Sequence, residues 1–259
     1  MTRPELVGTP DIPGTDFASS HRVLILGPSL GTDTHLWDLA APALREHYAV
    51  LRWDLPGHGA SPSARDSFTL SELADAVVAL ADSYGISNFY HAGVSIAGAT
   101  GILLAAHYPD KLQGVGVVCS AAKFGEPAMW DERAAGIRAN GTASMVAGTM
   151  GRWFSPEFIQ KSPETVQTVM QMLADANDED YAKLCEALGS YDARPELAGI
   201  RVPVLVISGG VDPGATPEMG KAVADGIPGA KQIVIPGVSH QAATEAPLEV
   251  AKDLIEFFG

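Results

Sequence analysis

Short apolar runs alternate with amphipathic segments along most of the chain. Six runs have the composition of strands, at residues 22–26, 49–53, 88–94, 115–119, 202–208 and 231–235. Several of them are apolar at consecutive positions, which is typical of strands that helices cover on both faces. Strands that alternate with helices predict an α/β fold with a mostly parallel sheet, flanked by helices and joined by right-handed crossovers.

Two of the amphipathic segments carry clear helix signals. The first has an apolar stripe at helical spacing, made of Leu70, Leu73, Ala74, Val77, Ala81 and Tyr84. Thr69 and Glu72 form a capping box in front of it, and Gly85 can end it. Pro247 opens a similar helix near the end of the chain, with Ala251, Leu254, Ile255 and Phe258 on one face.

The alternation breaks between about residues 121 and 195, where helical periods continue without a convincing strand. Trp130, Arg133, Ala134 and Ile137 share one helical face, and Gly141 is a plausible stop. Two further helical patterns cover 166–176 and 181–188. We predict a core domain of residues 1–121 and 196–259, with a helical cap of residues 122–195 inserted between two strands. Such a cap lies over the carboxyl ends of the strands, where open α/β sheets keep their sites.

Composition and charge narrow the possible partners. The chain has 259 residues and 46% hydrophobic residues, which suits one large domain or a domain with an inserted lobe. Its 17 basic and 31 acidic residues give a net charge of −14, which argues against nucleic acid and membrane surfaces as partners.

Cysteines and apolar segments exclude further classes of protein. Cys119 and Cys185 make neither a disulfide framework nor a zinc site, and we expect no metal or organic cofactor. The first residues lack the apolar stretch of a signal peptide, and the longest apolar segment, 96–106, is too short for a bilayer. A cytoplasmic protein is therefore expected.

The strongest chemical signal is the segment 91–98, His-Ala-Gly-Val-Ser-Ile-Ala-Gly, which follows a predicted strand and precedes a helical pattern. A serine on a tight strand-to-helix turn is a nucleophile elbow. The turn needs a small residue two positions before Ser95, which is Gly93, and the usual glycine two positions after it is Ala97. A serine in an ordinary Gly/Ala-rich turn is the alternative, and the strand and helix around it favour the nucleophile.

A serine nucleophile needs a base that is held by a third group. Asp212 and His240 each follow a predicted strand, in the chain order acid then histidine, so all three groups can meet at one edge of the sheet. Asp192 is the rival acid, but it falls near the end of the helical lobe. His58 precedes the serine, in a Gly-His-Gly sequence that indicates a tight turn. The remaining histidines, namely His21, His35, His47, His91 and His107, fit surface or packing positions better.

Acyl transfer also needs hydrogen-bond donors for the developing oxyanion. The N–H of Ile96, the residue after the nucleophile, is one candidate. The N–H of Leu30, in the loop 27–33 after the first predicted strand, is the second. That loop could instead bind phosphate, but no lysine follows it as a Walker motif requires.

Taken together, these segments resemble a known superfamily. The elbow, the loop 27–33, the sequence Asp-Leu-Pro-Gly-His-Gly-Ala-Ser at 54–61 and His240 resemble the α/β-hydrolases. Segments 130–141, 152–158 and 181–188 are similar to 3-oxoadipate enol-lactonases within that superfamily. The resemblance covers about 22–258. The chain departs from the family at Ala97, in an acid loop (212–217) one residue longer, and in its first twenty residues, which lack a clear strand pair.

The resemblance implies an α/β-hydrolase fold and a serine hydrolase that opens the ring of 3-oxoadipate enol-lactone. It places the nucleophile on Ser95, the acid on Asp212, the base on His240 and the oxyanion donors on Leu30 and Ile96.

The family's substrate carries a carboxylate, so an enzyme of such negative charge needs cations in its pocket. Arg133, one helical turn from Trp130, is the best candidate, with Trp153 as a further lining residue. Alternatively, the two tryptophans only pack the cap and Arg133 is solvated. Arg138 and Arg152 are weaker candidates.

Two rival functions stay open at this point. One is a general carboxylesterase, or a hydrolase of other lactones, which would share the triad and differ in the cap. The other is a binding protein or receptor that keeps the fold without turnover. In each case the expected partner is a small molecule, an anionic lactone or ester in the favoured reading.

Overall fold

A computed structural model describes residues 3–259, which form one seven-stranded sheet. Its strands are β1 (Gly8–Pro10), β2 (Val23–Gly27), β3 (Ala49–Trp53), β4 (Phe89–Val94), β5 (Leu112–Val118), β6 (Val204–Gly209) and β7 (Lys231–Ile235). Their spatial order is β1-β3-β2-β4-β5-β6-β7. All neighbours are parallel except β1, which pairs antiparallel with β3. The predicted mostly parallel α/β sheet is confirmed.

The start of the chain contributes a single short strand rather than a strand pair. Gly8 pairs with Trp53 and Pro10 with Leu51, over three residues. Glycine and proline are poor strand formers, so this strand carries little sequence signal. Tyr84, at the end of a helix, donates its hydroxyl proton to the carbonyl of Gly8 at 2.8 Å and holds the strand at the sheet edge.

Helices connect the strands. They are α1 (Ala41–Leu44), α2 (Leu70–Ser83), α3 (Ile96–His107), α4 (Pro127–Asn140), α5 (Val146–Trp153), α6 (Pro156–Lys161), α7 (Pro163–Asp175), α8 (Asp178–Ser190), α9 (Pro217–Gly226), α10 (Ala242–Glu245) and α11 (Pro247–Phe258). Helix α2 has the predicted capping box, since Thr69 accepts from the N–H of Glu72 and Glu72 accepts from the N–H of Thr69. Gly85 follows its end with a φ of +70°, so both predicted helix limits are confirmed.

Alternation along β5 places helices on opposite faces of the sheet. A Cβ added at Gly116 would lie 2.5 Å from Leu254 of α11, and one at Gly114 would lie 2.9 Å from Phe258. Val115, between them, points to the other face, where α3 approaches closely at Gly101. The small residues of β5 therefore let α11 pack directly on the centre of the sheet.

Helices α4 to α8, called the cap helices below, all lie between β5 and β6 in the chain. Helix α8 is fastened to the loop that follows β3. Asp180 accepts from the N–H of Ala64 at 2.9 Å, and Lys183 donates to the carbonyl of Ala64 at 2.6 Å. The division into a core of 1–121 and 196–259 and a cap of 122–195 stays a prediction.

Replacing Thr69 by alanine tests the cap of α2. We expect T69A to lower the free energy of unfolding by about 1 kcal/mol, because the N–H of Glu72 in the first turn loses the hydroxyl that accepts its hydrogen bond. Urea unfolding measures the change. The T69S variant keeps the hydroxyl and should stay within a few tenths of a kcal/mol of the parent. Equal midpoints for T69A and the parent would contradict the assigned cap.

Candidate active site

Ser95 lies on a strained turn between β4 and α3. Its φ of 56° and ψ of −114° are outside the regions that L-residues favour. A Cβ at Gly93 would lie 2.3 Å from the carbonyl carbon of Ala97, so only glycine fits there. The turn is held by a hydrogen bond from the N–H of Ser95 to the carbonyl of Val118 (2.9 Å). The local geometry is that of the predicted nucleophile elbow.

Neighbouring glycines make room for Ala97, the departure from the usual glycine. A Cβ added at Gly27, the last residue of β2, would lie 2.6 Å from the Cβ of Ala97. A Cβ at Gly93 would lie 2.7 Å from the same methyl group. The extra methyl group is therefore accommodated because β2 ends in glycine, and the elbow keeps its shape.

His240 and Asp212 are in direct contact. His240 Nδ1 lies 2.7 Å from Asp212 Oδ2. A carboxylate oxygen can only accept, so the N–H of Nδ1 donates to it. Asp212 Oδ1 accepts from the N–H groups of Gly214 (2.8 Å) and Ala215 (3.0 Å). Asp212 is buried, and both of its carboxylate oxygens accept hydrogen bonds. It can therefore fix the orientation of the imidazole, while Nε2 stays free to exchange a proton.

Ser95 and His240 line the same cavity, which has a volume of about 600 Å³. Leu30 lines it as well, and Asp212 lies behind the histidine. The four residues follow the carboxyl ends of β2, β4, β6 and β7, so the sheet brings together positions far apart in the chain. The cavity has the size of a small-molecule site.

Of the two candidate oxyanion donors, Ile96 follows Ser95 directly in the chain and Leu30 lines the same cavity as Ser95. Ile96 is the first residue of α3, where the N–H has no acceptor within the helix. Leu30 is in a tight turn after β2 and is a cavity residue.

The cap helices supply the opposite wall. Trp130 and Trp153 are mostly buried and also line the cavity, so they pack the cap and form its inner surface at once. Arg133 lines it too and donates to the hydroxyl of Tyr181. Its guanidinium lies 5.5 Å from the ring centres of both Trp130 and Tyr181. Its Nε is buried without a hydrogen-bond partner among the described residues.

The weaker sequence candidates lie in other environments. Asp192 is exposed and hydrogen-bonded to Arg194, which lowers the pKa of its carboxyl. His91 is buried within β4, and burial lowers its pKa to about 3. Arg152 lines the cavity, whereas Arg138 is exposed and bonded to Glu179. The histidines at exposed positions are His21, His35, His47 and His107.

Sequence reasoning missed two buried residues that support the site. Gln241 donates its amide proton to the hydroxyl of Ser29 (3.3 Å), and its backbone N–H bonds to the carbonyl of Trp153 (3.0 Å). The only sequence feature that points to a role for Gln241 is its position next to His240. His58, interpreted only as part of a turn, accepts a hydrogen bond from the N–H of Gly31 at 3.2 Å. No local sequence pattern predicts the contact between His58 and Gly31.

No helix within residues 3–259 is both long enough and apolar enough to cross a membrane. No group of three or more His, Cys, Asp or Glu side chains in this part of the chain is arranged to hold a metal ion.

The model of the alpha/beta hydrolase fold family matches residues 22–247. The chain belongs to the α/β-hydrolase family. It is 39% identical over 203 residues to 3-oxoadipate enol-lactonase 2 of Acinetobacter baylyi, covering 78% of this chain and 74% of the relative. Enol-lactonase 1 of the same organism is 34% identical over 224 residues, covering 86% and 84%.

Solved structures agree with this assignment. The enol-lactonase from Burkholderia xenovorans LB400 superposes with a TM-score of 0.92 at 32% identity, covering 97% of this chain and 95% of that one. The predicted α/β-hydrolase fold and the resemblance to enol-lactonases are confirmed. This α/β-hydrolase is accordingly an enzyme of the ester and lactone hydrolase type. The alternative of a binding protein or receptor without turnover is therefore not favoured.

Replacing Gly93 by alanine tests the elbow. We expect G93A to be destabilised by more than about 3 kcal/mol, because its Cβ meets backbone atoms, whereas overpacking against side chains costs about 1–3 kcal/mol. Thermal unfolding measures the change. The control is G136A in α4, where no described atom lies within 4 Å of the added Cβ. It should gain about 0.5–1 kcal/mol. A G93A protein as stable as the parent would contradict the close approach.

Proposed function

We propose that this hydrolase opens the ring of 3-oxoadipate enol-lactone through a triad of Ser95, His240 and Asp212 and an acyl-enzyme. The observation that carries the proposal is the 2.7 Å contact between His240 and Asp212 beside a cavity that Ser95 also lines. Further support comes from two relatives of 34–39% identity, both named 3-oxoadipate enol-lactonases.

In the first step His240 Nε2 takes the proton of Ser95 Oγ as that oxygen bonds to the lactone carbonyl carbon. Asp212 holds the proton on Nδ1 and stabilises the imidazolium that forms. The negative charge on the carbonyl oxygen is met by the N–H groups of Leu30 and Ile96. Loss of one such donor costs about 3–4 kcal/mol of transition-state stabilisation.

Collapse of the tetrahedral intermediate breaks the ring C–O bond. The leaving oxygen is an enol, which departs more easily than an alkoxide, and it takes the proton from His240 before it becomes the ketone. Water then attacks the acyl carbon while His240 accepts its proton. Collapse of this second intermediate breaks the bond to Ser95 Oγ, which takes the proton back from His240. The product keeps the original carboxylate and gains a second.

Recognition of the substrate carboxylate is assigned to Arg133. Its guanidinium reaches the cavity, donates once to Tyr181 and keeps its Nε unpaired. An unpaired buried donor costs free energy unless a ligand satisfies it, and a carboxylate satisfies a guanidinium with two parallel hydrogen bonds. The walls of Trp130 and Trp153 exclude water from that contact, which strengthens it.

Removal of the nucleophile tests the triad. We expect S95A to lose on the order of 10⁴-fold or more in kcat on the enol-lactone, because no covalent intermediate can form. Ring opening is followed by absorbance, and mass spectrometry of the quenched parent enzyme should show an acyl group on Ser95. The S87A variant, at an exposed serine, is the control. An S95A enzyme with parent activity would refute the proposal.

The cap arginine is tested with a charged and a neutral substrate. We expect R133A to lower kcat/KM for the enol-lactone by about 10- to 100-fold, since a charge-assisted hydrogen bond is worth about 1.5–3 kcal/mol. Hydrolysis of a neutral aryl ester should change little. R138A is the matched control at an exposed arginine. Equal losses on both substrates would mean that Arg133 only supports the cap.

A parent enzyme that prefers simple aryl esters or other lactones over the enol-lactone would replace the substrate assignment with that of a general esterase or lactonase. The triad would be unaffected by that result.

A further inference from the structure

Leu30 lies in a β-turn made by residues 29–32. The N–H of Thr32 bonds to the carbonyl of Ser29 at 3.0 Å, and the Thr32 hydroxyl donates to the same carbonyl at 2.8 Å. Gly31, the third residue of the turn, has a φ of +83°. A positive φ at the third position is the mark of a type II turn, in which the central peptide points opposite to its direction in a type I turn. Glycine permits both directions, so another group must select one.

His58 accepts the N–H of that central peptide. Its Nε2 lies 3.2 Å from the nitrogen of Gly31, and its Nδ1 lies 2.9 Å from the carbonyl oxygen of Pro56. A carbonyl can only accept, so Nδ1 carries the proton and Nε2 has a free lone pair. Burial lowers the pKa of His58, which keeps the ring in this neutral form.

The ring of His58 is itself held firmly. Gly57 and Gly59 on either side have φ values of +67° and +50°. The carboxylate of Asp54 accepts from the N–H of Ala60 (2.9 Å), within the same loop, and from the N–H of Thr34 (2.7 Å), just beyond the turn. These bonds tie the loop of His58 to the segment that carries Leu30.

Tyr181 of the cap covers the other side of the imidazole. The two rings are stacked, with centres 6.3 Å apart and planes at 25°. A Cβ at Gly31 would lie 3.0 Å from the ring of Tyr181, so the tyrosine also closes over the turn. The histidine is therefore almost wholly buried, with its ring packed against Tyr181.

We propose that His58 is a positioning residue. By accepting the N–H of Gly31 it anchors the 29–32 turn, and so holds the N–H of the preceding residue, Leu30, in place for the oxyanion. The turn's own hydrogen bond uses the N–H of Thr32 and His58 takes that of Gly31. The N–H of Leu30 is then the one left for a ligand in the cavity. This inference rests on the proposed function, because it needs an oxyanion beside Ser95.

Two substitutions separate the hydrogen bonds of His58. In H58N the amide nitrogen can donate to Pro56 as Nδ1 does, but nothing reaches Gly31. In H58Q the side-chain oxygen reaches the place of Nε2 and can accept from Gly31. Turnover is measured with 4-nitrophenyl acetate and with the enol-lactone, and each variant is checked for folding by thermal unfolding. H107N, at an exposed histidine, is the control.

We expect H58N to lower kcat on the order of 10- to 100-fold with KM within about threefold of the parent, since the defect lies in the transition state. H58Q should recover kcat to within about fivefold. The inhibition constant of an alkyl trifluoromethyl ketone, which adds to serine as a tetrahedral oxyanion, should rise in H58N by the same factor as kcat/KM falls. A structural defect alone would not give this parallel.

The outcomes that overturn the inference are distinct from failure of the proposed function. Parent-like kcat in folded H58N, equal losses in H58N and H58Q, or an unchanged inhibition constant would each refute the role of His58. If S95A were inactive in the same assays, the proposed triad would stand even though the role of His58 had been refuted. An active S95A would refute the proposed function, whatever the His58 variants do.

Discussion

The backbone of Ser95 is the constraint on which the rest of the site depends. A non-glycine residue with a φ of 56° is strained by about 1–3 kcal/mol, and such strain persists only where the surroundings enforce it. Here the N–H of Ser95 bonds to Val118 and its carbonyl accepts from the hydroxyl of Ser120 at 2.6 Å. Gly93 and Gly27 have no side chain, which leaves room for the start of α3 to pack against β4 and β2. The hydroxyl of Ser95, the proposed nucleophile, is thus positioned by hydrogen bonds of its own backbone and by close packing of β2 and β4 on α3.

The groups around that serine form one connected rim rather than separate loops. Glu245 accepts from the N–H of Ser239 (3.1 Å), the neighbour of His240, and from the N–H of Ser155 in the cap (3.3 Å). Gln241 links the same loop to the carbonyl of Trp153 and the hydroxyl of Ser29. The histidine loop, the turn after β2 and the cap are therefore positioned relative to each other by buried and partly buried hydrogen bonds.

Local patterns predicted the parts that depend on local physics. Strand alternation, the capping box at Thr69 and the elbow around Gly93 are all encoded within a few residues, and the structure has them. Strand β1 was not predicted, because three residues that include glycine and proline show no hydrophobic periodicity. The contact of His58 with Gly31 joins residues 27 positions apart, and that of Arg133 with Tyr181 joins residues 48 apart. Such pairings follow from tertiary packing, which one sequence does not display.

The two ends of the segment that carries the cap helices meet. Ala193 donates its N–H to the carbonyl of Ala122 at 2.8 Å, and the strands on either side, β5 and β6, are neighbours in the sheet. A segment whose two ends are in contact can be replaced by one of a different length, because the replacement spans the same short distance between the ends of β5 and β6. Replacing the segment between these two points would change the shape of the cavity without interrupting any strand. The replacement would have to restore the hydrogen bonds that Trp153 and Ser155 make with Gln241 and Glu245, because those bonds position the histidine loop.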